Sequence, residues 1–384
     1  MRAFQISQQQ ISAVIGAAIA DELSRRFNRH FDFLTTASWG PETSLGVGGL
    51  ALSQEELVAC AIRVANFFGA GETQLPDDNP SIDDWAGTLR PVVSSRLSEF
   101  SFKSAARNVD QATCHHNADR IYQDSAAAAN LLLGRRRLLS LVAPHSLLGF
   151  ELSVLTPGLL HIEAADCRRM SPDKLSVFAR FGDVLVATPT LWRYMVQENL
   201  AAPDNSIAVS FGEPMTPDLA ADMRKSGFGV LRELYGSTES GLIGWRDDPS
   251  EPFLLFEHWR GADDALIRLL PNGEEEIVSA MDQLDWIDDR RFRLLGRRDG
   301  AVQVGAVNVF PEEVATMLRA HPKIKRCGIS VGRRADGASR LIANIVLEGN
   351  MEPDDNTVRE IDAFCRQNLR QQERPRIYNF EREV

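Results

Sequence analysis

Leu234-Tyr235-Gly236-Ser237-Thr238-Glu239-Ser240-Gly241 is the stretch on which the reading of this chain turns. It continues an extended run, Val230-Leu231-Arg232-Glu233-Leu234, so a tight turn, two hydroxyls and a carboxylate fall at the end of a strand. Open α/β sheets bind their ligands beyond the carboxyl ends of strands. Gly236 allows a sharp turn or a close backbone approach. Ser237 and Thr238 bring donors and acceptors, and Glu239 brings the hard oxygen that a Mg²⁺–phosphate complex needs. Taken alone, such a stretch is more often an ordinary polar turn.

Outward from that turn, strands and helices alternate between residues 100 and 290. Apolar runs at 138–142, 183–187, 206–211 and 229–234 read as strands, and 172–178, 190–199 and 217–226 as helices between them. The alternation predicts an α/β domain with a mainly parallel sheet and flanking helices. Ahead of it, Ile11, Val14, Ile15, Ala18, Ile19, Leu23 and Phe27 recur at spacings of three and four, which predicts a helix over 7–28. A second helix starts at Ser53 with Glu55 and Glu56 in its first turn, and a third at Ser81-Ile82-Asp83-Asp84-Trp85. After residue 297 come a strand at 302–304, a helix at 311–321, strands at 327–331 and 341–347, and a helix at 357–372. The expected division is a helical N-terminal segment (1–99), an α/β core (100–296) and a small α+β C-terminal domain (297–384).

Composition narrows the function classes. The 384 residues are 44% hydrophobic and 25% charged, ordinary for a globular protein, with a net charge of −11. That charge argues against non-specific nucleic-acid binding and against a polybasic membrane surface. The five cysteines (Cys60, Cys114, Cys167, Cys327 and Cys365) are dispersed, without a C-x-x-C pair, and read as reduced thiols. The apolar region 138–160 is interrupted by Pro144, His145, Glu151 and Pro157, so no membrane span is expected. With no leader pattern at the N-terminus, the expected location is the cytoplasm.

A second signature lies downstream: Leu295-Gly296-Arg297-Arg298-Asp299-Gly300, then an extended run and Phe310-Pro311-Glu312-Glu313-Val314. Together with Tyr235–Glu239 it resembles the adenylate-forming superfamily, which comprises acyl- and aryl-CoA ligases, luciferases and the adenylation domains of peptide synthetases. The resemblance covers residues 135–345. It implies ATP-dependent activation of a carboxylic acid as an acyl adenylate, with ATP and Mg²⁺ as cofactors. It also implies CoA or an acyl-carrier protein as acceptor. Small aryl-activating proteins of pigment and antibiotic pathways are the most similar, which points to an aromatic acid and secondary metabolism.

Residue by residue, the resemblance implies that Tyr235, Gly236, Ser237 and Thr238 border Mg-ATP and that Glu239 holds the metal. Gly212, Glu213 and Pro214, within Ser210-Phe211-Gly212-Glu213-Pro214-Met215, would lie along adenine. Asp282 would accept from the ribose hydroxyls, although Asp285, Asp288 and Asp289 crowd the same region. Arg297 would reach ribose or phosphate, and Asp299 would be the hinge of a mobile C-terminal domain. His145, in Pro144-His145-Ser146-Leu147-Leu148-Gly149-Phe150, would guide the acid's carboxylate; a structural histidine is the plainer alternative. Thr188-Pro189-Thr190-Leu191-Trp192 has a structural role.

The chain departs from the family pattern in two places. Where a glycine-rich phosphate loop is expected stands Phe102-Lys103-Ser104-Ala105-Ala106-Arg107-Asn108-Val109-Asp110-Gln111, without either glycine, the proline or the lysine. Glycines let successive N–H groups turn toward phosphate. No lysine follows Lys325, so the family's catalytic-lysine turn is missing, as though truncated, with Arg374, Arg376 and Arg382 as possible substitutes. Losing one preorganised donor to a developing charge costs on the order of 10²–10³ in rate. These departures support an alternative reading, a catalytically impaired homologue that acts as a binding or scaffolding protein. Residues 44–58 loosely resemble an acyl-carrier domain, but Gln54 stands where the attachment serine is required, and a helical cap on the larger domain is the other reading.

Overall fold

The computed structural model describes residues 4–95, 97–104, 113–262, 265–298, 300–304, 307–333, 339–350 and 353–381. It divides into two compact units, Met1–Ala280 with Leu284–Arg293, and Met281–Gln283 with Leu294–Val384. The helical N-terminal segment thus lies in the first unit together with the α/β region.

The first unit is organised on a nine-stranded sheet, although residues 282–283 and 294–297 of its last two strands are grouped with the second unit. Its strands, numbered in chain order, are β1 (Arg137–Ser140), β2 (Glu163–Asp166), β3 (Val184–Ala187), β4 (Ile207–Phe211), β5 (Val230–Ser237), β6 (Gly241–Arg246), β7 (Phe253–Leu255), β8 (Asp282–Trp286) and β9 (Arg291–Arg297). Their order across the sheet is β8-β9-β7-β6-β5-β4-β3-β1-β2. The pairs β1–β2, β1–β3, β3–β4 and β4–β5 are parallel. The pairs β5–β6, β6–β7 and β7–β9 are antiparallel. The parallel sheet expected from the alternation is therefore one half of a mixed sheet. The change of direction follows from chain length: three residues join β5 to β6, whereas a parallel crossover needs a dozen or more.

Every residue of β1, β3 and β4 is buried, which is why these strands read as continuous apolar runs. The helices Pro172–Phe178, Pro189–Gln197 and Pro217–Lys225 each begin with proline after Ser171, Thr188 or Thr216. Proline there loses only an N–H that no helix could use. Trp192, Met195, Leu219 and Met223 from these helices share a core with Leu139, Leu185 and Leu231 of the sheet.

A second core joins the N-terminal helices Gln8–Phe27, Gln54–Phe67 and Ile82–Ser95 to the same unit. Ile15, Val64, Phe67 and Trp85 pack with Phe100, Phe102, Leu147 and Phe150. Gln54 is the exposed first residue of its helix, which Ser53 and Glu56 close with a reciprocal capping box. The second unit pairs Ile324–Arg333 antiparallel with Ser339–Leu347, and the latter parallel with Ile377–Phe380. Val314 and Leu318 of the helix Pro311–Arg319, and Ile361 and Cys365 of Asp355–Asn368, cover this sheet, giving the expected α+β arrangement. Among the described residues no helix is long and apolar enough to cross a membrane.

Candidate active site

Strand order places the site. From β1 the chain goes to β2 on one side and then returns to β3 on the other, so a topological switch falls between β1 and β3. Such switches open a crevice at the carboxyl edge of a sheet. The segment after β1 carries Pro144, His145 and Ser146, and that after β3 carries Thr188. Beside them β4 ends in Gly212-Glu213-Pro214 and β5 in the Tyr235–Glu239 turn.

The turn is a tight hairpin held largely by its own serines. Ser237 Oγ accepts from the N–H groups of Glu239 (3.2 Å) and Ser240 (3.2 Å) and lies 2.9 Å from Ser240 Oγ. Gly236 is needed for a reason other than ligand approach. A Cβ there would meet the Gly241 carbonyl at 2.3 Å, where the β5–β6 register shifts. Tyr235 is buried, its ring 5.6 Å from Phe253 and 5.5 Å from Phe292. Thr238 is half-buried, and its carbonyl accepts from Nε2 of His116 at 2.7 Å. Glu239 is exposed, and its carboxylate makes no hydrogen bond or ion pair among the described residues.

Beneath the turn lies a buried ionic floor that the sequence did not announce. Asp124, in the helix Ala118–Asn130, accepts on Oδ1 from Arg268 Nη2 (2.7 Å) and His258 Nε2 (2.9 Å), and on Oδ2 from the Leu242 N–H (3.1 Å). Arg268 Nη1 donates to the Ser240 carbonyl at 3.2 Å, Nη2 to the Arg120 carbonyl at 3.0 Å, and Nε to Gln123 at 3.1 Å. The Arg268 side chain is 0% exposed and that of Asp124 is 1% exposed. Glu151, fully buried in the π-helical turn Glu151–Leu155, has no hydrogen-bond partner for either oxygen among the described residues. Burial, with the Asp124 charge added, pushes its carboxyl well above the usual range.

At the end of β4, Glu213 Oε1 accepts from Thr190 Oγ1 (2.7 Å), and Oε2 lies 3.7 Å from Arg193. Pro214 is exposed. Thr190, on the first turn of its helix, thereby fixes this carboxylate. His145 stands in a different setting. Its Nε2 is 3.9 Å from Asp21, which Arg25 pairs at 2.8 Å, and Arg63 lies close enough to both for its charge to act on them. Burial pulls the His145 imidazole down to about 4, against the opposing charge of Asp21, so it is neutral near pH 7. Burial alone would raise Asp21, but Arg25, His145 and Arg63 outweigh it and bring the carboxyl down to about 2.

Asp282 and Arg297 belong to the second unit, at the start of β8 and the end of β9, and the Asp282 carbonyl accepts from Arg298 Nε at 3.4 Å. Asp299, residues 105–112 of the phosphate-loop segment and Arg382 lie outside the described residues. At the margins of that segment, Lys103 Nζ donates to Thr113 Oγ1 (2.9 Å) and Arg25 Nη1 to the Ser104 carbonyl (2.8 Å). Arg374 spends its N–H groups on the Leu369 (2.9 Å) and Arg366 (3.1 Å) carbonyls at a helix end.

A magnesium ion suits this donor set only in company with phosphate. No group of three or more His, Cys, Asp or Glu side chains among the described residues could hold a metal. Mg²⁺ is typically bound by one or two carboxylates, substrate phosphates and retained waters, and the open carboxylate of Glu239 fits that habit.

No protein-family profile matches the chain. The chain is 29% identical over 284 residues to 4-coumarate–CoA ligase of Halorhodospira halophila, covering 73% of this chain and 72% of that protein. Among solved structures, an amide bond synthetase from Marinactinospora thermotolerans superposes with a TM-score of 0.61 at 15% identity, covering 98% of this chain and 90% of the other. o-Succinylbenzoate CoA synthetase from Bacillus subtilis does so with a TM-score of 0.57 at 16% identity, covering 71% of this chain; the chain spans 63% of its length. The structures share the fold and the curated relative shares sequence across most of its length, which bears out the resemblance to the adenylate-forming superfamily of acyl- and aryl-CoA ligases.

Proposed function

We propose that the protein activates an aromatic carboxylic acid as its acyl adenylate and passes the acyl group to CoA or an acyl-carrier protein, in a cytoplasmic biosynthetic pathway. The observation that carries this reading is the exposed carboxylate of Glu239 on a strand-end turn at the carboxyl edge of the sheet, the same edge from which the segment bearing His145 leaves β1. The similarity to a 4-coumarate–CoA ligase supports an aromatic acid.

In the reaction a carboxylate oxygen attacks the α-phosphorus of ATP, the bond to the bridging oxygen breaks, and pyrophosphate leaves with that electron pair. Both reactants are anions, so positioning and charge neutralisation dominate. Magnesium supplies that neutralisation on the phosphates, and Glu239 would hold it. Gly212, Glu213 and Pro214 would flank adenine, with Tyr235, Gly236 and Ser237 forming the wall of the nucleotide site. Thr238, its carbonyl tied to His116, would offer its hydroxyl at the rim. Asp282 would accept from the ribose hydroxyls and Arg297 would reach ribose or phosphate. His145, neutral, would donate to or orient the acid without protonating it.

The second reading, an impaired homologue that binds without turnover, draws on the segment 102–111, which lacks the glycines, the proline and the lysine of the family's phosphate loop. Mass spectrometry of reactions with ATP, Mg²⁺, CoA and a panel of benzoic, cinnamic and aliphatic acids separates the two. Acyl-AMP or thioester from the aromatic acids is the expected result. Product from aliphatic acids alone removes the aromatic assignment, and no product from any acid favours the binding role.

A further inference from the structure

The backbone on both sides of Glu239 is gripped by residues far away in sequence. On one side His116 holds the Thr238 carbonyl; on the other Arg268 holds the Ser240 carbonyl and Asp124 the Leu242 N–H. Gly241 makes this possible. It has φ +83°, and a Cβ there would meet Asp124 Oδ2 at 2.2 Å, so the backbone rests directly on the carboxylate. Trp259 completes the seat: its Nε1 donates to the Leu242 carbonyl at 2.6 Å, and the Arg268 guanidinium lies 5.2 Å from its ring.

A buried ion pair is a poor choice if stability is all that is required. Desolvation offsets its Coulombic gain, and well-packed apolar residues serve as well or better. What the pair does supply is direction. With Arg268 Nη1 (3.4 Å to Oδ2) joining Arg268 Nη2, His258 Nε2 and the Leu242 N–H, four donors converge on Asp124, and neither the carboxylate nor the guanidinium, nor the peptide groups they hold, can rotate. An exposed side chain on a three-residue turn would otherwise sample many orientations.

We propose that Asp124 and Arg268, with His258 completing the pair, are positioning residues that aim Glu239 at Mg-ATP and so set the affinity for the metal–nucleotide complex but not for the acid. This rests on the assignment of Glu239 to Mg-ATP. Residues that orient a metal ligand from behind typically account for roughly 10–100-fold in metal affinity or activity. Arg137 and Asp183 form a comparison pair in the same unit, with side chains 10% and 1% exposed. They precede or begin β3 and β1, at the opposite edge from the turn.

The experiment measures ATP–pyrophosphate exchange against Mg-ATP and against the acid, and Mg-ATP binding by calorimetry, in Arg268→Lys, Asp124→Asn, Arg137→Lys and Glu239→Gln. His258→Gln, which removes a single donor, is the milder variant should the first two fold poorly. Arg268→Lys and Asp124→Asn are expected to raise the KM and Kd for Mg-ATP roughly tenfold or more, with the acid KM changed less than about twofold. Arg137→Lys lowers thermal stability and moves neither constant. The proposal is overturned if clamp variants that remain folded keep the wild-type Mg-ATP constants while Glu239→Gln weakens them. It also fails if both KM values rise together in clamp and comparison variants alike. If Glu239→Gln itself leaves Mg-ATP binding unchanged, the assignment of the turn is wrong, and the clamp falls with it.

Discussion

Two buried polar clusters of the first unit, one under the 238–240 turn and one beside His145, use the same residue types to opposite ends. Beneath the turn, both oxygens of Asp124 have donors, and the backbone of Ser240 and Leu242 is part of the network. Beside His145, Asp21 Oδ2, Glu22 Oε2, Nε and Nη2 of Arg63 and Nδ1 of His145 have no hydrogen-bond partner among the described residues. A saturated network fixes a shape, whereas the open one leaves acceptors of Asp21 and Glu22 and N–H donors of Arg63 unmet. Each unmet buried polar group costs about 1–3 kcal/mol, and under the proposed function the Arg63 donors are the ones an acid's carboxylate would meet.

The largest expected effect tests the saturated cluster. Arg268→Met leaves Asp124 uncompensated and should cost about 3–5 kcal/mol in urea unfolding at pH 7. A loss below about 1 kcal/mol would mean the floor is no more cohesive than a surface pair. Arg63→Met sharpens the contrast. It removes an ion whose N–H groups are partly unspent, so stability should change by less than about 1 kcal/mol while the acid KM rises roughly tenfold. A stability loss like that of Arg268→Met, with the acid KM intact, would erase the distinction.

A smaller effect concerns protonation. With the His145 imidazole at about 4 against an ordinary 6.5, the unfolded chain binds a proton between those values that the folded chain refuses. Stability from this group is therefore full above pH 6.5 and lost as pH falls toward 4. NMR of ring-labelled histidine should show no titration of His145 between pH 5 and 8; a midpoint near 6.5 would contradict its burial. The smallest effect is at Glu151, whose raised carboxyl makes the opposite contribution. The cost grows as pH rises above the unfolded value of 4.5 and stays in place beyond the folded one. Glu151→Gln should raise the thermal midpoint at pH 8 by roughly 1–2 °C and change it little at pH 4.

The same contrast explains how much was legible in the sequence. The strand ends could be read because turn chemistry is local: Tyr235–Glu239 and Gly212–Pro214 each follow an apolar run that is buried along its length or most of it. The parallel strands and their Pro-led helices were equally clear. The antiparallel half was not, because β7 is three residues long and the hairpin strands Trp259–Ala262, Ala265–Leu269 and Glu275–Ser279 alternate weakly. The floor of the site was invisible for another reason. Asp124 sits among small and polar residues in Ala118–Asn130, Arg268 interrupts an apolar strand, and 144 positions separate them. Only the fold brings them together. The N-terminal helices pack on the α/β region, and Asp21, Arg25 and Arg63 reach the His145 corner, a convergence no local pattern encodes.

The central claim is that Glu239 is the handle for Mg-ATP in an acid-activating site. ATP–pyrophosphate exchange with an aromatic acid, titrated with Mg²⁺ in the wild-type protein and in Glu239→Gln, tests it most directly. The account predicts Mg²⁺-dependent exchange in the wild type and a loss on the order of 10²–10³ in the variant, with the folded structure retained because the side chain is exposed. Exchange that proceeds at the wild-type rate in Glu239→Gln would contradict it.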